Sequence, residues 1–168
     1  MKKAKKTWRE KLSDDKNLPK VAKVHPRQGN RWGLKPGDTM ILPTPREVDG
    51  LMKRIPPGRL ATIRDLQQAL ARKHGTTTAC PIVTGIFAWI AAHAAEEDRA
   101  AGRKRITPYW RTLKGKGEIN AKYPGGAAGC AKRLRDEGHR VVKRGARYFV
   151  DHFERQVMQM STGRPAHR

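Results

Sequence analysis

The chain has 168 residues, 37 of them Lys or Arg against 15 Asp or Glu, which leaves a formal charge of +22. A charge of that size repels itself unless a polyanion neutralises it, and nucleic acid phosphate is the commonest such partner of a compact protein, ahead of a membrane surface. The longest apolar stretch, residues 80–95, is interrupted by Pro81, Thr84, Gly85 and His93 and falls short of the ~20 residues a membrane span needs, and the lysine-rich start lacks the apolar segment of a secretory signal.

Residues 1–43 mix cations with Pro19, Pro26, Pro36 and Pro43 and show no sustained apolar period, so they read as a basic, partly irregular arm, with Trp8 and Trp32 as points that dock on the domain or on a base. Order is expected from Thr44-Pro45-Arg46-Glu47, where a threonine N-cap, a proline at the first helical position and a glutamate three residues on form a capping box. Val48, Leu51, Met52 and Ile55 follow at helical spacing, and Pro56-Pro57-Gly58 stops that helix. Thr62 and Asp65 repeat the signature ahead of a second helix over 63–73, closed by His74-Gly75. The threonine run 76–78 reads as a cap region, and Pro81 opens a third helix through about residue 96.

The second and third helices form a helix-turn-helix with a long linker. Basic loop character returns at 99–105, residues 106–111 lead into a cationic turn at 114–117, and a fourth helix is expected over 127–137 with Gly138 as its stop. Residues 140–143 and 147–150 alternate as a β-hairpin around Arg144-Gly145. The expected fold is therefore mainly α: a winged helix-turn-helix domain over 44–155 with a small C-terminal β-hairpin, a basic N-terminal arm and a flexible tail at 156–168. Cys80 and Cys130 have no metal-ligand spacing and read as free thiols in a reducing compartment, the cytoplasm or a bacterial nucleoid; no metal and no cofactor is expected.

Three segments carry a resemblance. They are Ile55-Pro56-Pro57-Gly58-Arg59 before the Thr62-capped helix, then Pro108-Tyr109-Trp110-Arg111, then Tyr123-Pro124-Gly125-Gly126 before a helix that ends in Glu137-Gly138-His139. In this order, over roughly 44–139, they resemble the DNA-binding domain of the alkylguanine-DNA alkyltransferases, the methylated-DNA-protein-cysteine methyltransferases. In that family the second segment reads Pro-Cys-His-Arg, and its cysteine takes an alkyl group from a flipped guanine. Here Tyr109 and Trp110 stand at those places. Because the transfer needs a thiolate, and a phenol of pKa ~10 or an indole cannot replace it, no alkyl transfer is expected at this position.

The resemblance extends to the alkyltransferase-like proteins, in which an aromatic residue replaces the cysteine and alkylated DNA is bound without repair. Tyr109 fits that pattern by type. Trp110 replaces the histidine, Ile63 stands where the family has the tyrosine that turns the nucleotide out, and Pro81 where it has the arginine that fills the vacated stack, so base flipping by the family's means is not expected. What the resemblance retains is Thr62 as cap and phosphate contact, Gly85 for close approach of the third helix, Arg111, and Glu137 with a structural role.

The expected reading is a monomeric, non-catalytic protein that binds duplex DNA and senses alkylated guanine. Its nucleic-acid-binding set is Thr62, Arg64, Thr84, Gly85, Tyr109, Trp110, Arg111, Lys114 and Lys116, with Tyr109 or Trp110 as a stacking platform for a base. One rival is an alkyl-accepting methyltransferase that uses Cys80, a thiol at the amino end of the third helix, where the helix dipole favours the thiolate. The other is an RNA-binding accessory protein, since charge does not separate DNA from RNA.

Overall fold

Three helices begin where a threonine hydroxyl and the acidic residue three positions on satisfy each other's backbone amides. In the computed structural model, which describes residues 1–25, 27 and 32–160, Thr7 and Glu10 start α1 (Trp8–Leu12), Thr44 and Glu47 start α2 (Pro45–Lys53), and Thr62 and Asp65 start α3 (Ile63–His74). The last two are the helices expected from sequence. The chain leaves α2 through Arg54 ahead of Pro56, and α3 closes on Gly75 at φ +64, a left-handed conformation that glycine adopts without a Cβ clash.

The helix α4 (Pro81–Ala100) opens on Pro81 as expected, but Cys80 is its N-cap, and the threonine run does not cap it. Thr78 belongs instead to β4 (Thr78–Ala79), which lies parallel to β2 (Thr39–Leu42); β2 in turn pairs antiparallel with β1 (Lys20–Lys23). At the end of this sheet Thr39 and Thr77 each donate a backbone N–H to the other's hydroxyl, at 3.1 and 3.2 Å.

That sheet corrects the reading of residues 1–43 as a partly irregular arm. The segment holds α1, β1 and β2, and it buries Leu12, Val24 and Ile41. The free amides of Trp8 and Arg9 at the start of α1 donate to the two carboxylate oxygens of Glu97 on α4, at 2.8 and 3.0 Å. The Trp8 ring stacks on His93 at 4.4 Å and meets Trp89 edge-on at 4.7 Å. Trp8 thus docks on the domain, and Trp8→Ala is expected to destabilise the chain by ~2 kcal/mol, the worth of one largely buried large apolar side chain, read as a lower thermal midpoint.

The helix α4 runs through the middle of the core. Its Ala88, Ala91, Ala92, Ala94 and Ala95 are buried, and side chains this small let α1, α2 and α3 lie close against it. After α4, a 3-10 turn at Tyr109–Arg111 leads into β5 (Thr112–Leu113), parallel to β3 (Ala61–Thr62). The helix α5 (Gly126–Asp136) and the hairpin β6 (Val141–Arg144) and β7 (Arg147–Val150) follow at the expected places. Strand β7 is held to the 117–119 segment, since Ile119 N–H donates to the Tyr148 carbonyl and Val150 N–H to that of Gly117. Gly117, at φ +80, also leaves room for the Phe153 ring, since a Cβ there would lie 2.3 Å from it.

Residues 156–160, expected as the start of a flexible tail, pack instead beside Leu60: Leu60 N–H donates to Gln156, Met158 N–H donates back to Leu60, and Met160 is buried. The rest of that tail, 161–168, lies outside the described residues, as does Pro26. The chain is α-rich with a few short strands, and α3 and α4 joined through 75–80 are consistent with a helix-turn-helix type of domain. Among the described residues no helix is long and apolar enough to cross a membrane.

Candidate nucleic-acid interface

The motif at 108–111 turns inward. Tyr109 is 2% exposed and Trp110 8% exposed, which corrects their reading as a stacking platform for a base. Two carboxylates draw them in. The Tyr109 hydroxyl donates to Glu96 at 2.7 Å, and Arg99 and Arg133 donate to the same carboxylate at 2.6 and 3.1 Å. The Trp110 indole N–H donates to Glu137 at 3.0 Å, while the Arg133 guanidinium lies 4.4 Å from the Trp110 ring centre. Burial, aided by the Glu96 carboxylate, pushes the Tyr109 phenol far above its ordinary range, so no phenolate is available as a nucleophile.

Arg111, expected at the DNA, is engaged by the protein itself. Its Nε donates to both Glu137 oxygens at 3.0 Å, one Nη donates to Glu137 at 2.6 Å, and the other donates to the Ile55 carbonyl at 2.6 Å. Glu137 thereby ties the 3-10 turn to the end of α2 and to α5, the structural role expected of it. Burial disfavours its charged form, but the hydrogen bonds from Arg111 and Trp110 outweigh burial and hold its carboxyl below the ordinary range.

Thr62 caps α3 as expected, but its hydroxyl donates to Asp65 at 2.7 Å and is buried, which corrects its reading as a phosphate contact. Thr84 is fully buried in the core, its hydroxyl without a hydrogen-bond partner, so it does not lie at a groove either. The Thr84 correction follows from helix geometry: Thr84, Phe87, Ala88 and Ala91 lie on the core face of α4, while Ile82, Gly85 and Ile86 face outward, in line with Trp89 and His93, on which Trp8 packs. Arg64 is exposed on the first turn of α3.

The outward stripe forms one wall of a groove of about 770 Å³ whose opposite wall is Lys114, Asn120 and Lys122. The Trp89 indole N–H donates to the Lys122 carbonyl at 3.2 Å and fastens the two walls together. Lys114 also borders a hollow lined by Lys116, Glu118, Arg144, Arg147 and Phe149, so the groove and the β6–β7 hairpin adjoin at Lys114. Of these cations, Lys114 and Arg147 lie 3.6 Å from Glu118. Lys116, Lys122 and Arg144 have no carboxylate within ion-pair distance among the described residues, and Arg144 rests over the Phe149 ring at 5.1 Å. Gly85, Lys114 and Lys116 were legible as candidates; Ile82, Ile86, Lys122, Arg144 and Arg147 were missed, although the exposed stripe follows once the core face of α4 is known.

A second basic hollow, of about 840 Å³, lies around Lys53, Arg99, Arg103, Arg133 and Trp110. Of its seven cations, Lys53 pairs with Asp49 at 2.8 Å, Arg99 and Arg133 with Glu96, Arg103 with Asp98 at 3.6 Å and Arg111 with Glu137, while Lys104 and Arg105 have no carboxylate within ion-pair distance among the described residues. The groove and hairpin therefore form the better surface for an external polyanion.

The cysteines do not favour alkyl acceptance. Cys80 is buried as the N-cap of α4, its own N–H bonded to the Ile41 carbonyl. Burial pushes the Cys130 thiol up to about 11, so it stays protonated near neutrality.

No protein-family model and no curated protein matches the chain. Solved structures similar to it include S. pombe ATL in complex with DNA, with a TM-score of 0.50, and S. pombe Atl1 in complex with damaged DNA containing O6-carboxymethylguanine, with a TM-score of 0.48. In both the identity is 17%, over 69% of this chain and 94% of the other. What the chain shares with the ATL structure is the fold, the one that the three motifs lead one to expect.

Proposed function

We propose that this chain is a monomeric, non-enzymatic DNA-binding protein of the alkyltransferase-like type, a winged helix-turn-helix that senses alkylated guanine in duplex DNA. The observation that carries the reading is the surface formed by the outward face of α4, Lys114, Lys116, Lys122 and the Arg144 and Arg147 hairpin, where three of the five cations, Lys116, Lys122 and Arg144, meet no carboxylate among the described residues. The fold supports it, since S. pombe ATL has been solved in complex with DNA. The motif resemblance supports the alkylated base as ligand, and the aromatic Tyr109 at the acceptor position supports binding without transfer.

Fluorescence anisotropy with matched duplexes, one carrying a single O6-alkylated guanine, and with an RNA duplex, tests this. The expected result is tighter binding to the alkylated DNA than to either control, with the protein's intact mass unchanged afterwards. Equal affinity for the two DNAs would remove the sensing role, and preference for RNA would remove the DNA reading. A gain of one alkyl group in mass would return Cys80 or Cys130 as an acceptor.

A further inference from the structure

The hollow at the far end of α4 carries charge that the groove does not use. The chain leaves α4 through Gly102 at φ +86, and the Arg103 N–H donates to the Asp98 carbonyl at 3.0 Å, which closes the helix ahead of the exposed run Arg103-Lys104-Arg105. Beyond that run the Thr107 hydroxyl donates to Asp49 on α2 at 2.6 Å, and both residues are buried. The run is thus pinned at either end, and it presents Lys104 and Arg105, the two cations of the hollow that meet no carboxylate among the described residues. The basic tract also continues past the hollow. Asp98 holds Arg103 at 3.6 Å and Arg9 of α1 at 2.8 Å, so α1, with the exposed Lys2, Lys3 and Lys5 ahead of it in the chain, is joined to the hollow through a shared carboxylate.

A tract longer than the hollow fits a polymer of phosphates better than a single nucleotide. It also lies apart from the groove. At 1.5 Å and 3.6 residues per turn, Arg99 stands ~20 Å along α4 from Gly85 and roughly a quarter-turn round from the outward stripe. The helix α1, ~10 Å across, sits between the two, on Trp89, His93 and Glu97 of α4. A straight duplex seated in the groove is therefore held off the hollow, and a second copy of the chain would bring its own charge of +22 against the tract. We propose that the hollow is a second site for duplex DNA, with Lys104 and Arg105 as its main phosphate contacts, so that one molecule of the chain holds two duplexes and bridges them. It is the weaker of the two sites, because five of its seven cations already face a carboxylate of the protein. This rests on the reading of the chain as a duplex DNA-binding protein, to which it adds the bridging of two segments.

The test uses the full chain at low salt with two short DNA duplexes, one carrying a donor dye and the other an acceptor, both in excess over protein. Energy transfer between them reports bridging, anisotropy at low duplex concentration reports the first site, and analytical ultracentrifugation gives the stoichiometry. Wild type is expected to produce energy transfer and to bind two duplexes per chain. K104A/R105A is expected to lose the transfer and bind one duplex with the first-site affinity unchanged, since both side chains are exposed and lie outside the groove; circular dichroism checks its fold. K104R/R105K, which keeps the charge, is expected to bridge like wild type. One duplex per wild-type chain without energy transfer, or K104A/R105A that bridges like wild type, would overturn the second site and leave the DNA reading standing. Bridging by a protein dimer with one duplex on each protomer would overturn it in favour of self-association, and bridging of DNA to an RNA duplex but not to DNA would overturn it in favour of RNA in the hollow. Absence of any duplex binding would instead remove the DNA reading on which it rests.

Discussion

Affinity for a DNA duplex is expected to fall by ~10³-fold between 50 and 200 mM salt, with a log-log slope of about −5, as for a protein that neutralises about six phosphates. Six cations are placed to do so: Lys114, Lys116, Lys122, Arg144 and Arg147 along the groove and hairpin, and Arg64 on α3. Every phosphate left without its cation should make the slope shallower by ~0.9, so the triple variant K114A/K116A/K122A is expected near −3, with affinity lowered evenly across sequences because phosphate contacts carry no base information. Lys53 provides the contrast. It is exposed and basic but already pairs closely with Asp49, at 2.8 Å, so K53A is expected to leave the slope unchanged. Titrations at four or more salt concentrations read both outcomes. A slope that responds to Lys53 but not to Lys114, Lys116 and Lys122 would move the interface to the other hollow.

The helices that were legible in the sequence are those whose signals are local. Thr44 with Pro45 and Glu47, Thr62 with Asp65, and Gly75 and Gly138 as stops each settle their neighbours' backbone within a turn, and so they survive without knowledge of the fold. The first 43 residues were not legible for the converse reason. Strands β1 and β2 span four residues each, too short for an alternation to stand out, and β2 is fixed by β4 some 38 positions along. The helix α1 is the exception: it carries the same local signature, Thr7 with Glu10, which the reading of the sequence passed over, while Glu97 accepts from two further amides and His93 supplies the stacking surface that a five-residue helix lacks.

The site was misread for the same physical reason. Tyr109, Trp110 and Arg111 on a basic loop look like groups offered to a ligand, and only the tertiary positions of Glu96 and Glu137 show that they are satisfied internally. Conversely, the exposed stripe on α4 was hidden by its composition. A helix apolar on every side reads as buried throughout, and which side lacks a neighbour is settled by where α1, α2 and α3 end.

Removing the negative charge of Glu137 is expected to be among the most destabilising single changes available in this chain. Arg111 and Glu137 are 11% and 15% exposed, and the guanidinium meets no other carboxylate among the described residues. In E137Q the shape is kept but Arg111 loses its counter-charge inside the protein, at a cost of about 3 kcal/mol; R111A should cost as much, because it leaves the carboxylate with only the Trp110 indole and a backbone amide. The double variant should cost clearly less than the sum, since each single change already removes the pair. Urea midpoints at pH 7 measure all three. The pH dependence adds a separate check. Burial keeps His93 and His139 below their ordinary 6.5, so the unfolded chain takes up those protons first and stability begins to fall as the pH drops below 6.5. Burial disfavours the charged forms of Glu47, Glu96 and Glu137, but their hydrogen bonds and cations outweigh it and lower all three from 4.5. Their contribution is fully present above 4.5 and is lost as the pH falls through the lowered folded values, which makes the acid limb steeper there. E137Q removes one of these three carboxyls, so its acid limb should be shallower than wild type by that one proton; an unchanged limb would mean that Glu137 is not held charged by Arg111.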